Sequence, residues 1–386
     1  MMNKQMTRRE FLKTSGKGLS MLALFSGVLR FDIPAAHAES QEELFVNDLI
    51  HGEDQLKVTF LEIRDEEKSD AFFITYLSEA GLDIILHDGG MDDNKTYESL
   101  LDLRNEILDK AGVAEENKGK YKLRLRSVVS HFHADHTYAL DRCIFKKKKY
   151  FHFTEAYLPP ATALVQGVYN DDMNGDLRER VAYMSIIQAY QPQAQVRVLE
   201  YGESIIIPTD IGQVRLFAPP FDWGENDDRL RMFETFYGYK KEVFVRPDAI
   251  PICAVNANSI CMRVALDDWS FLFTGDIEKR IANRSDEPLD VIIDEYGEDA
   301  FKSDIIKYPH HGQQRNAAAR VIKNRLISGK PEALCILTAS DGWEQAGYEL
   351  TKRSMPWLDL RQGSILYTVK DGKISHEVIK DAKSFL

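Results

Sequence analysis

Ser130 is followed by His131-Phe132-His133-Ala134-Asp135-His136, which places three imidazoles and a carboxylate within six residues. These are borderline donors of the kind that hold Zn²⁺. On a loop leaving a strand, His131 and His133 can face one position while Asp135 and His136 turn toward another. That spacing suits two metals ~3.5–4 Å apart. Two further stretches carry residues of the same type. Ser270 to Thr274 reads as an apolar strand ending in Gly275-Asp276, and Ile305 to Tyr308 as another ending in Pro309-His310-His311-Gly312. A Gly-Asp pair alone is usually a turn, but three strand ends with such residues in one chain point to one site. A metal pair there would lower the pKa of bound water from ~15.7 toward ~7, so no serine or cysteine nucleophile is needed. Accordingly, the chain has no Gly-x-Ser-x-Gly elbow, and Gly16-Lys17-Gly18 lacks the spacing of a phosphate-cradling loop.

The elements that must position these residues are legible in outline. Strands are predicted near 58–61, 72–76, 83–86 and 123–130, with a helix over 95–110 set by Leu100, Leu101, Leu103, Ile107 and Leu108 and ended by Gly112. Residues 154–191 read as helical with a polar break at Asn170-Asp171-Asp172. Short strands follow at 196–200, 203–207 and 213–218, then at 259–266 and 270–274. A helix at 277–284, a strand at 303–308, a helix near 314–328 and strands at 333–338, 364–369 and 374–379 complete the chain. Such an order predicts two mixed sheets covered by helices, an α+β fold.

These motifs resemble the metallo-beta-lactamase superfamily. Asp88-Gly89-Gly90 after an aliphatic strand, Asn256-Ala257-Asn258-Ser259, Phe273-Thr274-Gly275-Asp276-Ile277-Glu278 and Lys307-Tyr308-Pro309-His310-His311-Gly312 narrow the branch. Together they are similar to the hydrolase domain attached to bacterial competence DNA-uptake channels and to its free-standing relatives, some of which cleave phosphodiesters. The resemblance runs from about Lys57 to Ile379 and implies a four-layer αββα sandwich with a metal site at one edge of the sheets. It implies Zn²⁺, two per chain, although manganese or iron would accept the same ligands.

Carried over residue by residue, His131 and His133 would bind the first metal, Asp135 and His136 the second, and Asp276 both. One of His310 and His311 would be a further ligand, and its neighbour would hold substrate or shuttle a proton. Asp135 would also orient the attacking hydroxide, and Asp88 would belong to the shell that fixes the histidine tautomers. Many relatives supply another histidine on a Pro-Gly-His turn. Here the turn is Pro219-Pro220-Phe221-Asp222, so Asp222 is the candidate replacement. His152, set among aromatics in Tyr150-Phe151-His152-Phe153, reads as structural.

The first 38 residues look like an address. Thr7-Arg8-Arg9-Glu10-Phe11-Leu12-Lys13 resembles a twin-arginine export signal, the apolar run Leu19 to Leu29 is shorter than the ~20 residues a membrane span needs, and Ala36-His37-Ala38 offers a cleavage site. The resemblance implies the twin-arginine export machinery as a partner, a periplasmic or otherwise exported location, and no transmembrane anchor after cleavage. Residues 39–56 read as a linker and 57–386 as one hydrolase domain with insertions near 155–191 and 221–250. The latter is rich in Asp, Phe, Tyr and Arg, and its aromatics (Trp223, Phe233, Phe236, Tyr237, Tyr239) suit a pocket wall or a satellite core.

With 386 residues, 44% hydrophobic and 28% charged, the chain is globular rather than disordered. Its four cysteines are too few for a disulfide framework; Cys253 and Cys261 could pair across a hairpin, though buried thiols are favoured. Its net charge of −12 argues against a stable nucleic-acid complex. Cleavage would remove six basic and two acidic residues and deepen that charge to −16. Lys118, Lys120, Lys122, Arg124, Arg126, Arg142 and Lys146 to Lys149 flank the histidine cluster, which suits either a phosphate-bearing substrate or a solvated charged face. The sequence thus favours an exported metal-dependent hydrolase acting on a small phosphodiester or related phosphate ester. Cleavage of a lactam, lactone or thioester on the same metals is the alternative, and a metal-binding protein without turnover is another.

Overall fold

The computed structural model describes residues 43–62, 69–91, 93–160, 175–209, 212–221, 256–277, 288–312, 318–338 and 343–379. The strands are β1 (Leu44–Phe45), β2 (Gln55–Phe60), β3 (Phe72–Ser78), β4 (Gly81–His87), β5 (Tyr121–Val128), β6 (Phe151–Leu158), β7 (Gln195–Val198) and β8 (Ser204–Ile207). They continue with β9 (Gln213–Phe217), β10 (Cys261–Leu266), β11 (Trp269–Phe273), β12 (Ile305–Lys307), β13 (Leu334–Leu337), β14 (Trp357–Asp359), β15 (Ser364–Lys370) and β16 (Lys373–Ile379). The helices are α1 (Asp93–Lys110), α2 (Glu115–Lys118), α3 (Ala134–Arg142), α4 (Gly175–Tyr190), α5 (Pro288–Tyr296), α6 (Ala319–Val321) and α7 (Trp343–Lys352).

The strands form two sheets, one in the order β16-β15-β2-β3-β4-β5-β6-β7 with β1 added against β5, the other in the order β14-β13-β12-β11-β10-β9-β8. Each sheet is antiparallel on one side and parallel on the other: β4, β5, β6 and β7 run parallel, as do β11, β12, β13 and β14. Antiparallel neighbours need only tight turns, such as Asp371-Gly372 between β15 and β16, whereas the parallel ones require the helical crossovers.

Three apolar cores separate four layers. The first lies between the β5 sheet and helices α1, α3 and α4, with Leu100, Leu103, Leu140, Tyr183 and Ile187 against Leu123 and Phe153. The second fills the space between the sheets, where Val58, Ile74 and Tyr367 meet Val264, Phe271 and Ile336. The third joins the β12 sheet to α5, α6 and α7 through Leu272, Ile306, Ile292, Val321 and Leu350. This is the αββα sandwich expected. Strands buried on both faces, such as β12 and β13, are near-continuous apolar runs because helices cover one side and the partner sheet the other.

Several sequence expectations need correction. Residues 43–56, read as linker, include β1, a 3₁₀ turn over Val46–Leu49 with Val46 buried, and the start of β2. Asn47 anchors this segment by donating to the carbonyls of Leu82 and Arg124. The region near 155–191 is not simply an insertion, because β6 runs to Leu158 and pairs with β5 and β7 inside the sheet. Tyr157 and Leu158 are buried there, so sheet pairing overrides the helical reading of that segment. The helix expected over 314–328 is a short α6 followed by a π-helical turn at Ile322–Leu326. Helices α5 and α7 and strand β14 went unread. The insertion near 221–250 and the expected helix at 277–284 fall almost wholly outside the described residues. Cys143, Cys261 and Cys335 are buried and in no disulfide among the described residues, in keeping with the favoured reading, while Cys253 lies outside those residues.

Candidate metal centre

Four strand ends deliver the site. The carboxyl ends of β4 and β5 in one sheet and of β11 and β12 in the other meet at one edge, where Ile260 N–H donates to the Ser130 carbonyl at 2.9 Å. Side chains that leave there are released from sheet pairing while their backbones remain anchored. Crevices outside the carboxyl ends of strands are the usual ligand sites of open sheets.

Local backbone geometry is tight at each end. After β4, Asp88 takes φ 55°, and its N–H donates to Val128. At Gly89 a Cβ would come within 2.6 Å of Leu140, so only glycine lets helix α3 approach. His133 precedes α3, whose first turn carries Asp135 and His136 inward; a carboxylate in that turn is favoured by the helix dipole. After β11, Gly275 has φ 54° and touches Ser259 and Ser130, leaving no room for a side chain. After β12, His310 and His311 both take positive φ, at 50° and 58°. For residues with a Cβ such a conformation is strained, and strain of this kind concentrates at functional sites.

The side chains converge on Asp276. Its Oδ2 lies 3.1 Å from His311 Nε2, 3.3 Å from His136 Nε2 and 3.8 Å from His310 Nε2. His311 Nε2 is also 3.3 Å from Asp135 Oδ2. His131 stacks against His136 with ring centres 4.1 Å apart, and its Nε2 is 3.0 Å from His133 Nδ1. All but His133 of these residues are buried. His131, His133, Asp135, His136, Asp276, His310 and His311 are therefore brought together, as the motifs suggested. Asp222, the proposed replacement ligand, lies outside the described residues. His152 is at the other end of β6 strand pairing, held by Glu43 at 2.7 Å and edge-on to Phe45.

Two participants escaped the sequence reading. Asp70, just before β3, faces both His311 Nδ1, at 3.1 Å, and Lys307 Nζ. Lys307, wholly buried at the end of β12, also donates to Asp276 Oδ1 at 3.1 Å and to the Gly275 carbonyl at 2.9 Å. A signal for Lys307 was present: it is the one charge in the run Ile305-Ile306-Lys307-Tyr308, at a position where a strand buried on both faces tolerates only a paired ion. Asp70 carries no comparable signal, since an aspartate beside a serine reads as a turn.

The electrostatics follow from the count of charges. Asp70, Asp88, Asp135 and Asp276 are four buried carboxylates around a single buried lysine. Burial would raise the Asp276 carboxyl, but His311, His136 and Lys307 outweigh it and hold it well below the usual range. Burial opposes the charged form of His136, yet Asp276 and Asp88 push it well above its ordinary value. The same balance, with Asp276 and Asp70, raises His311 to about 10. His131 goes the other way: burial, with the neighbouring His136 and His133, holds it well below its ordinary value and so favours the neutral ring. The protein alone thus balances its excess negative charge with protons on two histidines.

Those protons stand where metal ions fit. Ligand atoms of Asp70, His136, Asp276 and His311 lie within 4.8 Å of one another. His136 Nε2 and His311 Nε2 approach the same carboxylate oxygen without forming a hydrogen bond. Nitrogens aimed at one oxygen, in a pocket short of positive charge, suit a cation between them. Asp88 supplies the outer support: its Oδ2 lies 2.8 Å from His136 Nδ1 and accepts from Ser130 Oγ at 2.7 Å. That bond directs His136 Nε2 into the site.

The basic residues of α2 and β5 are each paired with acidic side chains. Lys118 pairs with Asp109 and Glu115, Lys122 with Glu43, Arg124 with Asp48, and Arg126 with Asp83 and Glu155. Lys147 and Lys149 lie over the rings of Tyr97 and Tyr150. These cations serve the edge and face of the sheet, the bland one of the two readings open to the sequence.

No family model and no curated protein matches the sequence. Solved structures do resemble it. Unliganded yeast PDE1 shares 12% identity at a TM-score of 0.44, covering 82% of this chain and 99% of its own. Zn²⁺-bound PqqB from Methylobacterium extorquens shares 9% at 0.40, covering 81% and 99%. The MIM-2 metallo-beta-lactamase shares 15% at 0.29, covering 74% and 88%. Among the described residues no helix is long and apolar enough to cross a membrane.

Proposed function

We propose that the chain is a metal-dependent hydrolase of metallo-beta-lactamase type, acting on a phosphodiester or related phosphate ester. The observation that carries this reading is the convergence of His136 and His311 on Asp276, with Asp135 against His311, in a buried cluster that holds four carboxylates and one lysine. In this reading His131 and His133 would hold one zinc ion, Asp135, His136 and His311 would hold a second, and Asp276 would serve both. When bound, the metals supply hydroxide at neutral pH and stabilise negative charge that develops on the substrate.

The chain's own residues do the rest. Asp88 fixes the His136 tautomer, Asp135 orients the attacking group, and the pocket walls exclude bulk water. His310 is the slightly exposed member of the pair and sits farther from Asp276, so it is placed to hold substrate or return a proton to the leaving group. The phosphate-ester class rests on the motif resemblance to free-standing relatives of competence-channel hydrolases, and the β5 cations add nothing to it. The export signal read in residues 1–38 would carry the protein to the periplasm; fractionation of cells expressing Arg8→Lys/Arg9→Lys should find it retained in the cytoplasm.

Zinc content and turnover test the reading together. Hydrolysis of bis(p-nitrophenyl) phosphate that EDTA abolishes and zinc restores is the expected result. Cleavage of a chromogenic cephalosporin without phosphodiesterase activity would move the substrate to the lactam class. Inertness on both, with metal tightly bound, would leave a binding protein.

A further inference from the structure

Asp70 lies close enough to the cluster to be counted among its ligands, yet both of its oxygens are engaged elsewhere. Oδ1 is 3.1 Å from His311 Nδ1, and Oδ2 forms the ion pair with Lys307 Nζ. Lys307 in turn donates to Asp276 Oδ1, the oxygen turned away from the histidines, and to the carbonyl of Gly275. All three side chains are buried, and the ammonium has no path to solvent.

We infer that Asp70 and Lys307 are a pair of positioning residues that select which atoms the site offers to metal: Asp70 presents His311 Nε2, and Lys307 withholds Asp276 Oδ1. The inference rests on reading the cluster as a metal centre. A hydrogen bond from imidazole Nδ1 to a carboxylate leaves the Nε2 lone pair facing the opposite way, toward Asp276 and Asp135. Thr338 Oγ1, 3.0 Å from the same Nδ1, is a second partner, but a charged acceptor forms roughly twice as strong a bond as a neutral one. Lys307 donates to Asp276 Oδ1 and sets its positive charge beside that oxygen, while the histidines approach Oδ2. The same ammonium neutralises Asp70, which removes the reason for Asp70 to turn toward a cation. Asp70 does for His311 what Asp88 does for His136, and both supports come from one sheet, where β3 begins beside the end of β4.

Three variants of the full chain test this, with zinc stoichiometry, zinc affinity by chelator competition, and the visible spectrum of the cobalt-substituted protein as readouts. Asp70→Asn keeps an acceptor for His311 and should retain full zinc stoichiometry with affinity within about tenfold of the parent. Asp70→Leu removes the acceptor and should weaken zinc by roughly 10–100-fold, the usual cost of losing such a partner. Lys307→Met frees Asp276 to bind through both oxygens and should weaken the cobalt d–d bands as coordination number rises. Loss of one metal per chain in both Asp70 variants would make Asp70 a ligand and overturn the assignment. Parental affinity in Asp70→Leu, or an unchanged cobalt spectrum in Lys307→Met, would overturn the corresponding half. If Asp70→Leu does not fold, Asp70→Asn and Lys307→Met still decide the question. A parent protein that binds no zinc would defeat the metal reading itself, whereas a zinc-loaded parent with indifferent variants would defeat only this inference.

Discussion

The two ends of strand β12 hold two buried polar networks of opposite character. At its start, Asp304 is 1% exposed and fully served: it accepts from Ser270 N–H at 2.9 Å, from Ser270 and Ser328 hydroxyls, and pairs with Lys330. Donors match acceptors, and nothing in that network points to a missing partner. At its finish, Lys307, His310 and His311 enter a pocket where carboxylates outnumber cations and two imidazole nitrogens crowd one oxygen. Both ends are equally buried, so burial does not separate structure from function. What separates them is satisfaction: a completed network holds the fold together, while a convergent and unbalanced one awaits a ligand.

That contrast can be broken or sharpened by experiment. Asp276→Ala should lower hydrolysis by roughly 10³-fold or more, because transition-state charge loses its metal support. Its zinc content should fall with it. Asp304→Ala should do the reverse, costing about 3 kcal/mol in urea unfolding with turnover per folded molecule unchanged. If the two variants behaved alike, the distinction between the ends of β12 would collapse.

A pH series on zinc-free protein gives a smaller effect. Burial lowers His311, but Asp276 and Asp70 raise it to about 10, so the folded state binds the proton more tightly than the unfolded one. Its stabilisation is therefore fully present below about pH 6.5 and is lost as pH rises toward 10. Denaturation midpoints measured from pH 6 to pH 10 should fall along that window; midpoints that rise would contradict it. The smallest expected change is at His310, whose φ of 50° strains a residue with a Cβ. His310→Gly should stabilise the zinc-free protein by about 1 kcal/mol in urea unfolding, even as turnover drops. A destabilised variant would mean that His310 contacts outweigh the strain.

Much of the fold and most of the site could be read before any coordinates. The spacing of Leu100, Leu103 and Ile107 located α1, apolar runs rich in β-branched and aromatic residues located β3 and β15, and the histidine block with Asp276 and His310-His311 marked the candidate chemistry. Less legible were elements whose character depends on neighbours. Thr154 to Leu158 looked helical, and only the pairing of β6 with β5 and β7 makes that part a strand. The basic run of β5 looked like an electrostatic lure until its acidic partners, far away in sequence, came into view.

The sequence by itself determined the kinds of donor, their placement at strand ends and the layered architecture, because residue type and periodicity are local properties. Tertiary structure alone decided that His311 rather than His310 lies closest to Asp276, that Asp70 and Lys307 belong to the site, and that the β5 cations do not. Those outcomes turn on which side chains meet at long separations in the chain, as Lys307 meets Asp276 across 31 residues and Asp70 meets His311 across 241. Contacts at such separation leave no periodic trace in the sequence, and so they become visible only when both sheets are packed.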